Sequence, residues 1–158
     1  MQNQDEEYMR QALSEAQKGF EKGEVPVGAV AVFQGEIIAR AHNEVETLQD
    51  ASAHAELLCL RRAAAAIGGW RLLGVTLYTT LEPCCLCVGA LFSFRVKKIV
   101  WAAPDIRQGA DGSWMSILST SHPIHQVEVQ RNVLSEPSSQ LMKEFFRKRR
   151  GSKDGKSV

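Results

Sequence analysis

Two short motifs, well separated in the sequence, constrain the fold of this chain because their side chains are suited to binding one ion together. The first is His54-Ala55-Glu56, and the second is Pro83-Cys84-Cys85-Leu86-Cys87. They supply an imidazole and a pair of thiolates as three candidate zinc ligands, with a carboxylate close to the first. Structural zinc sites are usually closed by four protein ligands, whereas catalytic sites keep one position open for water. Three ligands and an acid therefore indicate catalysis.

The bulk composition is that of one ordinary globular domain. The chain has 158 residues, of which 44% are hydrophobic and 23% are charged, enough to bury a core without disulfides. A formal net charge of +1 excludes a uniformly basic nucleic-acid coat but not a local basic patch. The polar N-terminus has no signal-peptide character, and no apolar run is long enough to span a membrane. We therefore expect a cytoplasmic protein that is not attached to a membrane.

The four cysteines do not predict disulfides. Cys84, Cys85 and Cys87 are crowded together, and no export signal places the chain in an oxidising compartment. Cys59 lies among leucines in a predicted helix, where we favour its interpretation as a small buried hydrophobe.

Hydrophobic periodicity predicts strands that alternate with helices after an opening hairpin, with no internal repeat and no linker. This order indicates an α/β domain with a mixed sheet over residues 1–150, followed by a basic tail at 151–158 that we expect to be disordered. The predicted helices are Asp5 to Lys22, Ala53 to Ile67 with Ser52 as N-cap, one opened by Pro83, and Glu136 to Arg150. The predicted strands are Val27 to Phe33, Glu36 to Asn43, Val75 to Thr80, Lys98 to Ala102 and Gln126 to Val133.

The spacing of the motif residues has a geometric explanation. Cys84 and Cys87 are three residues apart and share one helical face, near a helix N-terminus that favours thiolates. Cys85 points elsewhere, so we leave it out of the ligand set. His54 in the first turn of its own helix reaches the thiolates if both helix N-termini meet beside adjacent strand ends. Glu56 comes near the same ion only if the metal lies at the helix end.

Together the motifs match the H-x-E…P-C-x-x-C pattern of zinc nucleobase deaminases. Bound zinc lowers the pKa of water toward about 7. Glu56 is not a ligand in this chemistry; it takes a proton from that water, delivers it to a ring nitrogen and helps to protonate the departing amine. Ammonia leaves and a carbonyl group remains on the base.

Further blocks extend this pattern over about Asp5 to Arg150, notably Pro26 to Val30, Thr80 to Ala90 and Gly109 to Ser113. With these blocks the chain resembles the TadA family of tRNA adenosine deaminases, within the cytidine deaminase-like superfamily. The resemblance implies a three-layer α/β/α sandwich with a five-stranded mixed sheet, a homodimer, and one zinc ion per subunit. It also implies conversion of adenosine to inosine at the wobble position of the anticodon, typically in arginine tRNA.

The same resemblance implies substrate contacts at Asn43 and Ala29. Without it, Asn43 would be interpreted as a residue that ends a strand. Cys85, Pro104, Arg107 and Phe94 depart from the family pattern. The last three concern the RNA contacts, and none of the four belongs to the ligand set.

The C-terminal segment is basic and carries two adjacent phenylalanines. Phe145, Phe146 and Arg147 are candidate substrate contacts, because basic side chains hold phosphates and an exposed aromatic ring stacks on an unpaired base. The alternative is a helix whose phenylalanines pack inward and whose charges are solvated. Both interpretations hold if one phenylalanine ring packs inward and the other stays near the surface. The expected partner is a tRNA anticodon stem-loop, whose partly unstacked bases are cheaper to flip than those of a duplex.

Two other functions stay open. One is a deaminase of a free base or nucleoside, such as guanine or cytosine, which would have no use for the basic C-terminal helix. The other is a catalytically silent zinc module that binds RNA or a protein, which would have no use for Glu56.

Overall fold

Helices and strands alternate along the part of the chain described by a computed structural model, residues 2–153. The helices are α1 (Gln2–Glu21), α2 (Val45–Leu48), α3 (Ala55–Ile67), α4 (Cys85–Ser93) and α5 (Ser135–Lys153). The strands are β1 (Gly28–Phe33), β2 (Glu36–His42), β3 (Thr76–Leu81), β4 (Lys98–Ala103) and β5 (Glu128–Gln130). None of the described helices is long and apolar enough to span a membrane.

The strands form one mixed sheet in the order β2-β1-β3-β4-β5. β1 pairs antiparallel with β2 and with β3, whereas β3, β4 and β5 are parallel. The predicted hairpin between β1 and β2 turns at Gln34 and Gly35, which both have positive φ, as a two-residue hairpin turn of type I′ requires. Parallel neighbours need long crossover connections, and α4 forms part of the one between β3 and β4.

Side chains of β1 alternate between the two faces of the sheet and so define two buried layers. Ala29 and Ala31 belong to a large apolar cluster with residues of α3 and α4. Val30 and Val32 point into a second cluster, which includes Met9 of α1. Helix α5 packs against β3 and β4 and also contacts α1. The predicted three-layer α/β/α sandwich with a five-stranded mixed sheet is confirmed.

The predicted start of α3 and the predicted length of β5 were wrong. Ser52 is not the N-cap of α3, because His54 takes that position while the Ser52 hydroxyl donates to the Asp50 carboxylate at 2.7 Å. The strand predicted over Gln126 to Val133 pairs with β4 only over Glu128–Gln130. It lies at the edge of the sheet, where a single neighbour offers hydrogen bonds.

The C-terminal helix α5 continues to Lys153, beyond Arg150 where the sequence placed its end. The predicted disorder of the tail falls mainly on residues 154–158, which lie outside the described residues. The division into a domain at 1–150 and a tail at 151–158 stays a prediction.

A candidate metal centre at the ends of two helices

The two motifs meet because each begins a helix that starts beside the sheet. His54 is the N-cap of α3 and Cys84 is the N-cap of α4, both with extended backbone and neither with a side-chain capping bond. An N-cap side chain normally accepts hydrogen bonds from the first-turn amides. These two side chains instead turn toward each other, and Cys87 joins them from the first turn of α4. The predicted approach of the two helix N-termini is therefore present in the structure.

The three predicted ligand atoms lie at the separations of a tetrahedral zinc site. His54 Nδ1 is 3.5 Å from Cys84 Sγ and 3.5 Å from Cys87 Sγ, and the two sulfurs are 3.8 Å apart. With Zn–S bonds of about 2.3 Å and Zn–N bonds of about 2.1 Å, tetrahedral edges measure about 3.8 Å between sulfurs and about 3.6 Å between nitrogen and sulfur. Among the described residues, only these three form a group of this kind. The donors present fit zinc in type, number and spacing.

Hydrogen bonds within this cluster shift the pKa values of His54, Cys84 and Cys87. The bond with Cys84 is the main cause that raises the pKa of His54, against the effect of burial. Hydrogen bonds with Cys87 and His54 lower the pKa of the Cys84 thiol to about 4. The bond with Cys84, together with burial, raises the pKa of Cys87. Because metal ligands must be deprotonated, Cys87 would have to lose its proton to bind a divalent ion at this cluster.

Glu56 lies in the first turn of α3 and is buried at 5% exposure. Burial is the main cause that raises the pKa of this carboxyl to about 7. A group that exchanges its proton near neutral pH is suited to act as both acid and base. Glu56 is outside the group of three candidate ligands, and its role in proton transfer stays a prediction.

A cleft of ≈ 350 Å³ opens onto the cluster. His54, Glu56 and Cys84 line it, and we call these three residues, together with the buried Cys87, its ligand side. A second part of the lining, which we call the outer wall, consists of Asp105, Arg107, Gln108, Phe146 and Arg149. The rest of the lining comes from Val25, Val27, Asn43, Val45, Ala55, Leu81, Met142 and three glutamates, Glu24, Glu46 and Glu82.

The predicted substrate contact Asn43 lines this cleft from the end of β2. Its side-chain oxygen accepts a bond from the Val45 amide at 3.4 Å, and its amide donates to the Val25 carbonyl at 3.5 Å. Ala29, the other contact that the resemblance implied, is fully buried in β1 and is not among the residues that line the cleft.

Glu24, which the sequence did not single out, fixes the segment that follows Asn43. Its buried carboxylate accepts bonds from the amides of Glu46 and Thr47 and from the Thr47 hydroxyl, at 3.1, 2.6 and 2.6 Å. It therefore caps α2 from a distant part of the chain. Burial raises the pKa of Glu24, but the hydrogen bonds from Thr47 and Glu46 outweigh burial and leave this pKa below its usual value.

The two phenylalanines of α5 have different environments. Phe145 is buried and packs edge-on against Phe20, with ring centroids 5.8 Å apart. Phe146 is half-buried and lines the cleft. Arg147 is exposed and does not line the cleft, whereas Arg149, two residues later, does. A buried bond from the Ser138 hydroxyl to the Thr80 carbonyl holds α5 over the end of β3.

The two remaining cysteines lie outside the ligand group. Cys59 is fully buried, as predicted, and burial raises the pKa of its thiol. Cys85 points away from the ligand atoms, and its sulfur lies 3.9 Å from the Met115 sulfur.

Comparisons with known proteins agree with this geometry. The family described as MafB19-like deaminase matches residues 3–150. The tRNA-specific adenosine deaminase of Bacillus subtilis is 51% identical over 150 residues, which are 95% of this chain and 93% of that protein. The enzyme of the same name from Aquifex aeolicus is 44% identical, over 93% of this chain and 97% of its own length.

Solved structures give the same result. A structure from work on A-to-I editing by tRNA:A34 deaminases at the wobble position of transfer RNA superposes with a TM-score of 0.82 at 37% identity. The superposition covers 85% of this chain and 98% of the tRNA:A34 deaminase chain. A guanine deaminase from Bacillus subtilis superposes with a TM-score of 0.61 at 29% identity, over 96% of this chain and 97% of that one. By the ligand geometry and by these similarities, the chain belongs to the family of tRNA-specific adenosine deaminases.

Proposed function

We propose that this protein is a zinc-dependent hydrolase that converts adenosine to inosine at the wobble position of a tRNA anticodon, typically that of an arginine tRNA. The observation that carries the proposal is the cleft itself. It joins a group of three zinc-type ligands and a buried acid to an aromatic ring and two arginines in its lining.

The chemistry on the ligand side divides between holding a metal and moving protons. His54, Cys84 and Cys87 would hold a zinc ion, which supplies an activated water for attack on the base. Glu56 takes the proton of the attacking water and passes it to the ring nitrogen. The same carboxylate then takes the proton of the new hydroxyl group on the base and gives it to the amine, which leaves as ammonia while the carbonyl forms. A pKa of about 7 for Glu56 suits both directions of transfer.

Recognition of an RNA loop is assigned to the outer wall and to Asn43. A cleft of ≈ 350 Å³ is at the size of sites that enclose a small ligand and accommodates one flipped nucleoside. Asn43 contacts the flipped base, Phe146 stacks on a neighbouring base, and Arg107 and Arg149 face the phosphates. Phe145 serves this surface indirectly, because its ring is buried beneath it.

A deaminase of a free purine is the second candidate, favoured by the similarity to the Bacillus subtilis guanine deaminase. The aromatic and basic side chains at the cleft argue against it, because a small soluble substrate needs neither. The buried acid beside the ligands argues against a silent zinc module.

For the oligomeric state we propose a homodimer with one zinc ion per subunit. Apolar side chains stay exposed on α4 and on the loop around the cleft, and a second copy of the chain would cover them: Leu86, Ile106, Trp114 and Met115. Light scattering would measure the molar mass, and a monomer at micromolar concentration would contradict the proposal. The cytoplasmic location stays a prediction.

One assay separates the candidate functions. The zinc-loaded protein is incubated with an arginine tRNA anticodon stem-loop and, in parallel, with free guanine, cytosine and adenosine, while inosine and ammonia are measured. We expect inosine in the stem-loop only. Turnover of a free base without turnover of the stem-loop would refute the tRNA assignment. Zinc binding without turnover of any substrate would favour the silent module.

A further inference from the structure

Glu82, between the end of β3 and the ligand Cys84, has a carboxylate that is almost fully buried, with 1% exposure. Its Oε1 accepts a bond from the Asp105 amide at 3.0 Å and one from the Ser113 hydroxyl. Its Oε2 accepts bonds from the Asp111 amide at 2.9 Å and from the Ser113 amide at 3.2 Å. All four donors belong to the loop of residues 104–113, which follows β4.

These four bonds leave the carboxylate no free acceptor position. An ionised carboxylate has about four lone-pair sites on its two oxygens, and each is used by the loop. Although Glu82 borders the cleft, it has nothing left to offer a substrate. Its role is therefore to hold the loop, not to take part in the reaction.

The backbone of the loop is also joined to the turn that carries the metal ligands. The Ala110 amide donates to the Pro83 carbonyl at 2.8 Å, and the carbonyl of Ala103, the β4 residue just before the loop, accepts a bond from the Glu82 amide at 2.8 Å. At Gly109, which pairs with Cys84, an added Cβ would lie 2.3 Å from the Glu82 carboxyl carbon. Only glycine allows the loop backbone to approach this closely.

The far end of the loop has an independent anchor. The buried Asp111 carboxylate accepts a bond from Trp101 Nε1 at 2.8 Å and a bidentate pair from Arg131 at 2.7 and 2.8 Å. Because this anchor does not involve Glu82, loss of the Glu82 bonds frees the middle of the loop without detaching it from the sheet.

We propose that Glu82 is a positioning residue that locks the loop of residues 104–113 against the metal-ligand turn, so that Asp105, Arg107 and Gln108 form a fixed part of the substrate-binding wall. These three side chains line the cleft, and each is exposed or half-buried. The bonds of Glu82 give them a single arrangement before the substrate arrives. The inference rests on the proposed function only for the identity of that substrate.

The test compares the zinc-loaded wild-type protein with Glu82→Gln. A carboxamide keeps one acceptor oxygen but turns an NH₂ group toward donors of the loop, so about half of the bonds are lost. We expect the amides of residues 104–113 to exchange hydrogen roughly ten-fold faster or more, since bonds to a charged group are the strong ones. The KM for the stem-loop should rise about ten-fold while kcat changes less than about three-fold and zinc content stays the same.

Two further variants keep the test decisive. Glu36→Gln makes the same chemical change at an exposed position at the start of β2 and should alter neither exchange nor KM. Gly109→Ala adds a methyl group to the loop that pushes the loop backbone and the Glu82 carboxylate away from each other. It should therefore reproduce the faster hydrogen exchange and the higher KM.

Unchanged exchange in Glu82→Gln overturns the inference, and so does loss of zinc without faster exchange, because Glu82 would then support the metal and not the loop. Faster exchange with unchanged KM also overturns it, because the loop would not form part of the binding wall. If the wild-type protein fails to deaminate the stem-loop, the proposed function fails, and the exchange measurement still decides whether Glu82 holds the loop.

Discussion

The ligand side and the outer wall of the cleft are built in different ways. The ligand side comes from two helix N-caps and the first turns behind them, and Glu56 and Cys87 on it are buried. The outer wall comes from a loop and the C-terminal helix, and Arg107, Gln108 and Arg149 on it are exposed. One side is set by short-range helix geometry backed by core packing, whereas the other depends on contacts between distant segments.

This difference predicts how substitutions on the two sides should behave. Loss of a ligand-side group should change zinc content or kcat and leave RNA binding largely intact. Loss of an outer-wall group should change binding and leave the chemical step largely intact. A ligand-side substitution that mainly weakened RNA binding, or an outer-wall substitution that mainly slowed the chemical step, would show that the two sides work as one unit.

The largest effect should come from the ligands themselves. Cys87→Ala removes one of the three donors that fit zinc, so we expect loss of bound zinc and no measurable inosine formation, by metal analysis and deamination assay. Cys85→Ser is the matched control, because Cys85 lies in the same motif but outside the ligand group, and should keep both. Equal zinc loss in the two variants would contradict the assigned ligand set.

Glu56→Gln should separate catalysis from metal binding. The amide keeps the shape of the side chain but cannot carry a proton, so kcat should fall by about 10² to 10⁴-fold, the usual contribution of a general acid–base group. Zinc content and stem-loop affinity should stay within error of the wild-type values. A fully active Glu56→Gln protein would eliminate the proton-transfer role, and a zinc-free one would make Glu56 part of the ligand set.

The adjacent phenylalanines allow the outer wall to be tested against the core beneath it. Phe146→Ala should weaken stem-loop binding by about 1–3 kcal/mol, the usual contribution of an aromatic ring stacked on a base, with little change in stability. Phe145→Ala should lower the free energy of unfolding by about 3–5 kcal/mol, because it empties a buried site. Binding titrations and denaturant unfolding check both. The reverse pattern would mean that the RNA-facing ring had been assigned to the wrong residue.

The convergence of His54, Cys84 and Cys87 could be predicted from the sequence because it depends on local geometry at two helix starts. The three-residue spacing of Cys84 and Cys87 places both sulfurs on one helical face, and a ligand at each helix start explains His54 and Glu56. The N-cap was wrong by two positions, since Ser52 bonds to Asp50 instead. That error concerned which residue begins α3 and did not change the ligands.

Sequence reasoning missed the residues that order the rest of the cleft, because their partners lie far away in the chain. Glu24 bonds to Thr47 and Glu82 bonds to Asp111, and no helical or strand periodicity encodes such pairs. Glu82 was inside a recognised block, but nothing local distinguished it from its neighbours. Periodicity also could not decide between Phe145 and Phe146, since adjacent helical residues point about 100° apart and only the position of Phe20 selects the buried one.

The smallest expected effect concerns two arginines on the same helix. Arg149 lines the cleft and Arg147, the residue that sequence analysis favoured, does not. If Arg149 contacts a phosphate, Arg149→Gln should lower the slope of log affinity against log salt by about 0.7, the value for one contact to a single strand. Arg147→Gln should leave this slope unchanged in stem-loop titrations at several salt concentrations. A lower slope for Arg147→Gln and an unchanged slope for Arg149→Gln would show that the RNA backbone crosses α5 outside the cleft. The outer wall would then include Arg147 in place of Arg149.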